Sequence, residues 1–154
     1  MIPSFLQDFL VEELKTLFKD FKLKNALGEL SSLNIYPQFL PVKKGKKDTE
    51  HFPYIVVILQ DGEDPNETDS NTCNILLMAG IYDDDENYQG YKDLLNVLQK
   101  VYEHLMKHRL FEGKYQIEYP IKWRIHDEDT YPYFFGAIET NWIVGKIESI
   151  DTLI

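Results

Sequence analysis

Tyr54-Ile55-Val56-Val57-Ile58-Leu59 and Cys73-Asn74-Ile75-Leu76-Leu77-Met78-Ala79-Gly80-Ile81-Tyr82, separated by the polar residues 60–71, decide the fold. The first run is continuously apolar rather than alternating, which marks a strand covered on both faces, or on one face by its own domain and on the other by a partner. Between the two runs stand Asp61, Gly62, Glu63, Asp64, Pro65, Asn66, Glu67 and Asp69, a composition that cannot bury itself and reads as a solvated loop. Two strands joined in this way pair most simply antiparallel. The chain is therefore built around a β-hairpin.

Working outward toward the start, Phe5, Leu6, Phe9, Leu10, Leu14, Leu17, Phe18 and Phe21 recur at the three-and-four spacing of an amphipathic helix. Ser4 followed by Gln7 fits a capping box at its beginning. The mixed segment 22–34 leads to Ile35-Tyr36-Pro37, and Phe39-Leu40-Pro41-Val42 is expected as an edge strand, where a proline is tolerated. Toward the other end, Asp83-Asp84-Asp85-Glu86 precedes a second helix, at the positive end of its dipole. Tyr91, Leu94, Leu95, Leu98, Val101, Tyr102 and Leu105 form the apolar face of that helix, and Gly113 is the expected stop. Tyr115, Ile117, Tyr119, Ile121, Trp123 and Ile125 then alternate with polar residues, a strand bent at Pro120. After a turn at 126–132 a last strand carries Phe134, Ile138, Trp142 and Val144 on one face. The expected class is α+β, a mainly antiparallel sheet with two principal helices packed on one face. Phe9, Leu14, Val57, Leu77, Leu98 and Trp123 are the expected core.

With 154 residues the chain is a single domain, 1–154, with loops near 43–51 and 60–72 and a short C-terminal tail. Its hydrophobic share of 44% is enough to fill a core and excludes wholesale disorder. Sixteen basic against 26 acidic residues leave −10, which argues against tight binding to nucleic acid phosphates. A lone Cys73 forms no internal disulfide. The expectation is an unsecreted protein without a membrane span, because no apolar run approaches ~18 residues and Met1-Ile2-Pro3-Ser4 lacks the basic region of a signal peptide.

Candidate chemistry is sparse. His104 and His108 have the four-residue spacing that presents two imidazoles to one metal, but Leu105 stands where a hydrolytic zinc helix carries glutamate, and no third ligand is identifiable. The expected placement is His108 near the core seam and His104 at its margin. The acidic runs 61–69, 83–86 and 127–129 do not match an EF-hand. Cys73 lies in an apolar strand with no positive neighbour to activate it. No phosphate loop or nucleophile elbow occurs, so neither a catalytic residue nor a cofactor is expected. Charge segregation is more informative. Residues 22–47 hold six lysines against one glutamate, net +5, whereas residues 61–86 hold nine acids and no base. Lys43, Lys44, Lys46 and Lys47 on one side, and Asp61, Glu63, Asp64, Asp83, Asp84 and Asp85 on the other, are thus the candidate interface, complementary patches suited to a head-to-tail contact between copies. The aromatic share of 14% also suits an interaction protein.

The opening amphipathic helix, Phe52-Pro53-Tyr54-Ile55-Val56-Val57, Gly90-Tyr91-Lys92-Asp93-Leu94-Leu95 and Tyr131-Pro132-Tyr133-Phe134-Phe135-Gly136 together resemble the tail terminator, or tail completion, proteins of long-tailed bacteriophages and prophages. The resemblance spans most of the chain and lies in element order and turn placement. It implies a small α+β virion protein that forms a hexameric homo-oligomer, caps the last ring of tail-tube protein, and joins it to a head–tail connector or neck protein. It further implies assembly in the host bacterial cytoplasm and residence at the head-proximal end of the virion tail, with no active site. The long acidic loop after Leu59 and the basic loop 43–47 depart from the pattern. Another neck or minor tail protein, and a small metal-dependent hydrolase using His104 and His108, are the competing readings.

Overall fold

The computed structural model describes residues 2–25, 27–42 and 51–146. Helix α1 (Ser4–Leu17) buries Leu6, Leu10 and Leu14, with Phe18 just beyond its end, a four-residue rhythm that keeps one face on the sheet. Phe5 falls off that stripe and is exposed. The capping box does not form: Pro3 is the N-cap, and the Gln7 side chain is taken by the sheet. Gln7 Nε2 donates to Val57 O at 2.9 Å and to Gln38 Oε1 at 2.8 Å. Gln38 in turn accepts from Leu59 N at 3.0 Å and donates to Leu59 O at 3.1 Å, so a side-chain amide prolongs a backbone ladder.

Residues 22–32 form a small hairpin of β1 (Lys22–Lys24) and β2 (Leu30–Ser32). Its turn is tied by Asn25 Oδ1, which accepts from Leu27 N and Glu29 N, and Gly28 supplies the left-handed φ of 79°. β2 runs almost directly into β3 (Asn34–Pro37), the true edge strand. The expected edge at 39–42 is thus misplaced by a few residues, and Phe39 and Val42 stand exposed beyond it.

The large sheet has the order β3-β4-β5-β8-β7-β6, adding β4 (Tyr54–Glu63), β5 (Asn71–Tyr82), β6 (Leu110–Phe111), β7 (Tyr115–Ile125) and β8 (Tyr133–Gly145). Only β3 and β4 are parallel; every other neighbouring pair in this sheet is antiparallel. The expected hairpin exists but is longer than its apolar runs, since Asp61 to Glu63 remain in β4 after a one-residue bulge at Gln60. In β7 the register slips between Glu118 and Lys122 around Pro120, the expected bend, whose carbonyl accepts from Asn141 Nδ2 at 3.0 Å.

Helix α2 (Gly90–Lys107) lies over β5 and β8, and α1 over β3 and β4, both on one face. Leu94, Val97, Leu98, Val101 and Leu105 are buried, each fully buried aliphatic side chain being worth about 1.5–3 kcal/mol. The helix ends at Lys107 rather than at Gly113, because Glu112 and Gly113, with φ of 52° and 65°, make the tight turn between β6 and β7. Tyr91, Leu95 and Tyr102 flank the buried stripe and remain 41%, 36% and 39% exposed.

Phe9, Leu14, Val57, Leu77 and Leu98 join the core as expected, Phe9 only partly buried. Trp123 does not. It pairs with the buried Ile138 and so points to the helix side, but α2 does not cover β7 at this position, and the indole is left 64% exposed. Trp142 is fully buried, its Nε1 donating to Thr140 Oγ1 at 2.8 Å, while that hydroxyl donates to Ile75 O at 2.7 Å. A second cluster, Phe52, Tyr54 and Val56 with Tyr36, Tyr82, Tyr133 and Phe135, covers part of the opposite face, the Tyr54 ring lying over Gly80.

Candidate functional site

The acidic residues grouped by sequence are separated by the sheet. Asp61, Glu63 and Asp64 lie at the hairpin end of β4 and β5, whereas Asp83, Asp84 and Asp85 follow β5 at its other end. Thr72 to Tyr82 alone spans roughly 33 Å at ~3.3 Å per residue, so one partner element cannot neutralise both groups. At the hairpin end Asp64 has a counter-ion in its own chain, Lys146. The loop there is closed by Asn66, whose Oδ1 accepts from Asp69 N at 2.7 Å and Thr68 N at 2.9 Å.

At the far end the chain joins two acidic runs that are distant in sequence. Asp83 N donates to Pro132 O at 3.0 Å, and the Tyr131 hydroxyl donates to Asp84 O. Tyr88 stacks on Tyr131 with ring centroids 4.7 Å apart. Asp129 Oδ1 accepts from Tyr131 N at 3.1 Å, which holds residues 127–129 beside 83–86. Burial, and secondarily the charge of Asp83, pushes the Asp93 carboxyl in the first turn of α2 upward. Tyr88, Tyr91, Ile125, Phe134 and Phe135 line a groove of about 430 Å³ here, with Asp127, Glu128 and Asp129 on its rim. The two acidic runs are far apart in sequence, and the pairing of β7 with β8, which ends beside the exit of β5, brings them together.

A second groove, about 350 Å³, runs between α2 and β7, lined by Leu95, Leu98, Tyr102, Ile121, Trp123 and Ile138. Lys122 and Arg124 flank the indole in sequence and point to the opposite face with Glu139 and Ala137. Lys43, Lys44, Lys46 and Lys47 lie outside the described residues.

The histidine pair is placed in the reverse of the expected order. His104 is the half-buried member, because it faces α1, and His108 is exposed at the C-cap. Their rings are 4.8 Å apart. His104 Nε2 lies 3.4 Å from Glu13 Oε2, an electrostatic contact without hydrogen-bond alignment. Burial lowers the His104 pKa; Glu13 opposes this, and His108 and Lys100 add to it. Among the described residues no group of three His, Cys, Asp or Glu side chains is arranged to hold a metal. Cys73 is buried, and burial, with Asp61 second, pushes its thiol up to about 11.

No family model and no curated protein matches the chain. No helix among the described residues is long and apolar enough to cross a membrane.

Proposed function

We propose that the protein is a tail terminator of a long-tailed phage or prophage, a homo-oligomeric, hexameric ring that caps the tail tube and receives a neck or connector protein. The observation that carries this reading is where the resembling segments fall. Phe52-Pro53 leads into β4, Gly90-Tyr91 opens α2, and Tyr131 to Gly136 leads into and through the start of β8, in the order helix, small hairpin, edge strand, two strands, helix, short strand, two strands. The one-sided layering supports it as well. Both helices occupy one face, leaving the Lys122 and Arg124 side of β7 and the ends of the sheet available to neighbours. A structural role needs surfaces rather than a constellation of reacting groups, and the surfaces are what this fold elaborates. Assembly takes place in the host bacterial cytoplasm and the product sits at the head-proximal end of the virion tail.

The test is co-assembly with the cognate tail-tube protein. Rings at the ends of length-limited tubes in negative-stain images are the expected result. A protein that leaves tube length unchanged and binds no tube end at any concentration is not a terminator. If it instead sediments with connector proteins alone, it is another neck component.

A further inference from the structure

We infer that the aromatic groove at the acidic end of the sheet is a docking site for a second copy of this chain, which occupies it with its β1–β2 hairpin and the hairpin's Lys22 and Lys24. The inference rests on the self-assembling reading above and names the two surfaces that meet. The groove is apolar inside and anionic at its rim: Tyr88, Tyr91, Phe134 and Phe135 present ring surface, and Asp127, Glu128 and Asp129 surround it. Asp83 to Glu86 reinforce the charge from the neighbouring loop, which the Tyr131 hydroxyl ties in place. Among the described residues no lysine or arginine pairs with any of these carboxylates; only His126 comes near, 3.9 Å from Glu128. Aromatic faces beside carboxylates favour an ammonium group on an apolar stem, since the rings take the methylenes and the cation while the carboxylates take the charge.

The hairpin offers the complement. Lys22 and Lys24 are exposed on β1, and Leu27 and Leu30 stand 69% and 70% exposed around a turn closed by Asn25. An apolar, preformed element with basic side chains matches an apolar groove with an acidic rim. Glu29 is the single acid of the hairpin, against its two lysines.

The two surfaces sit on opposite flanks of one copy. β2 feeds β3, the outermost strand on one edge, whereas the groove is made by the first turn of α2 and the β7–β8 connection toward the other edge. A contact between unlike surfaces on opposite flanks is heterologous and propagates around a ring.

A charge-swap experiment tests this in the full chain. Lys22→Glu with Lys24→Glu reverses the hairpin, and Asp127→Lys with Glu128→Lys reverses the rim; all four sites are exposed and both variants should keep the parent's circular dichroism and melting temperature. By sedimentation velocity each variant alone should self-associate about tenfold or more weakly than the parent, equal to about 1.4 kcal/mol. Mixed in equal amounts they should regain the parent's assembly, because each reversed surface then meets its opposite in an alternating ring. Variants that assemble as well as the parent, or a mixture no better than its components, overturn the inference. Tube capping by the parent, measured alongside, separates the two readings. A parent that caps tubes while the variants still self-associate normally loses only this interface. A parent that stays monomeric yet caps tubes gives the groove to another basic partner and also overturns it. A parent that does neither loses the terminator reading too.

Discussion

Replacing Thr140 by valine isolates one buried hydrogen-bond relay. Valine has nearly the same shape as threonine, so no cavity opens, but the hydroxyl that links Trp142 Nε1 to Ile75 O disappears. Thr140 and Trp142 are both 0% exposed, so water cannot replace it and the indole N–H is left unpaired. A buried donor without a partner costs about 1–3 kcal/mol. For a chain of this size each kcal/mol moves the melting temperature by ~2–4 °C, so a fall of about 2–12 °C is expected. Urea unfolding followed by tryptophan emission reads this directly when Trp123, 64% exposed, is first changed to phenylalanine so that only Trp142 reports. The penalty of Thr140→Val, followed by far-ultraviolet circular dichroism, should shrink in a Trp142→Phe background, where the stranded donor is gone. A Thr140→Val variant as stable as the parent, or an equal penalty in both backgrounds, refutes the relay as the source of stability.

Gly80→Ala should cost roughly 1–3 kcal/mol, because a Cβ there would stand 2.4 Å from the Tyr54 ring; thermal melting with near-ultraviolet circular dichroism would register the displaced aromatic cluster. His104 has a folded pKa below its ordinary 6.5, so the unfolded chain binds the extra proton first: its contribution is fully present above that value and is lost as pH falls toward the folded pKa. His104→Gln should therefore flatten the acid-side fall in melting temperature near pH 6, and an unchanged profile would place the titration elsewhere. Trp123→Ala should change stability by no more than about 0.5 kcal/mol in denaturant titration, as an exposed side chain does. Cys73, with its thiol pushed up to about 11, should resist a thiol-directed disulfide reagent at neutral pH until urea unfolds the chain; rapid labelling of the folded protein would contradict its burial.

The two helices and four long strands were legible because each carries enough apolar residues in one period to outvote local exceptions. What escaped were decisions made by partners distant in sequence. Gln7 reads as half of a capping box until Val57 and Gln38 stand within its reach. Trp123 alternates correctly with its neighbours, yet alternation reports which face a side chain takes, not whether a helix extends far enough to cover it. The edge strand was displaced because four apolar residues at 39–42 outweighed the shorter Ile35-Tyr36 signal, while parallel pairing with β4 favoured the latter. The acidic runs were visible as charge, but their grouping depends on strand order. Leu95 and Tyr102 belong to the apolar stripe of α2 by spacing and to its exposed flank by geometry.

Two of the three irregularities of the sheet show how parity sets the side to which residues point. At Gln60 one strand gains a single residue on its neighbour, passing from Leu59 opposite Ile75 to Asp61 opposite Asn74. An odd increment inverts the side to which all later residues point, and here it sends Asp61 and Glu63 away from the helices, where unbroken alternation would have aimed both carboxylates at α1. Around Pro120 the increment is even: four steps in β7, from Glu118 to Lys122, match two in β8, from Asn141 to Glu139. Orientation is conserved there, and Ile117 and Trp123 share a side despite the interruption. Natural length variation in the 119–121 segment should accordingly come in pairs, since adding or removing one residue would turn Lys122 and Arg124 onto the apolar side of the sheet.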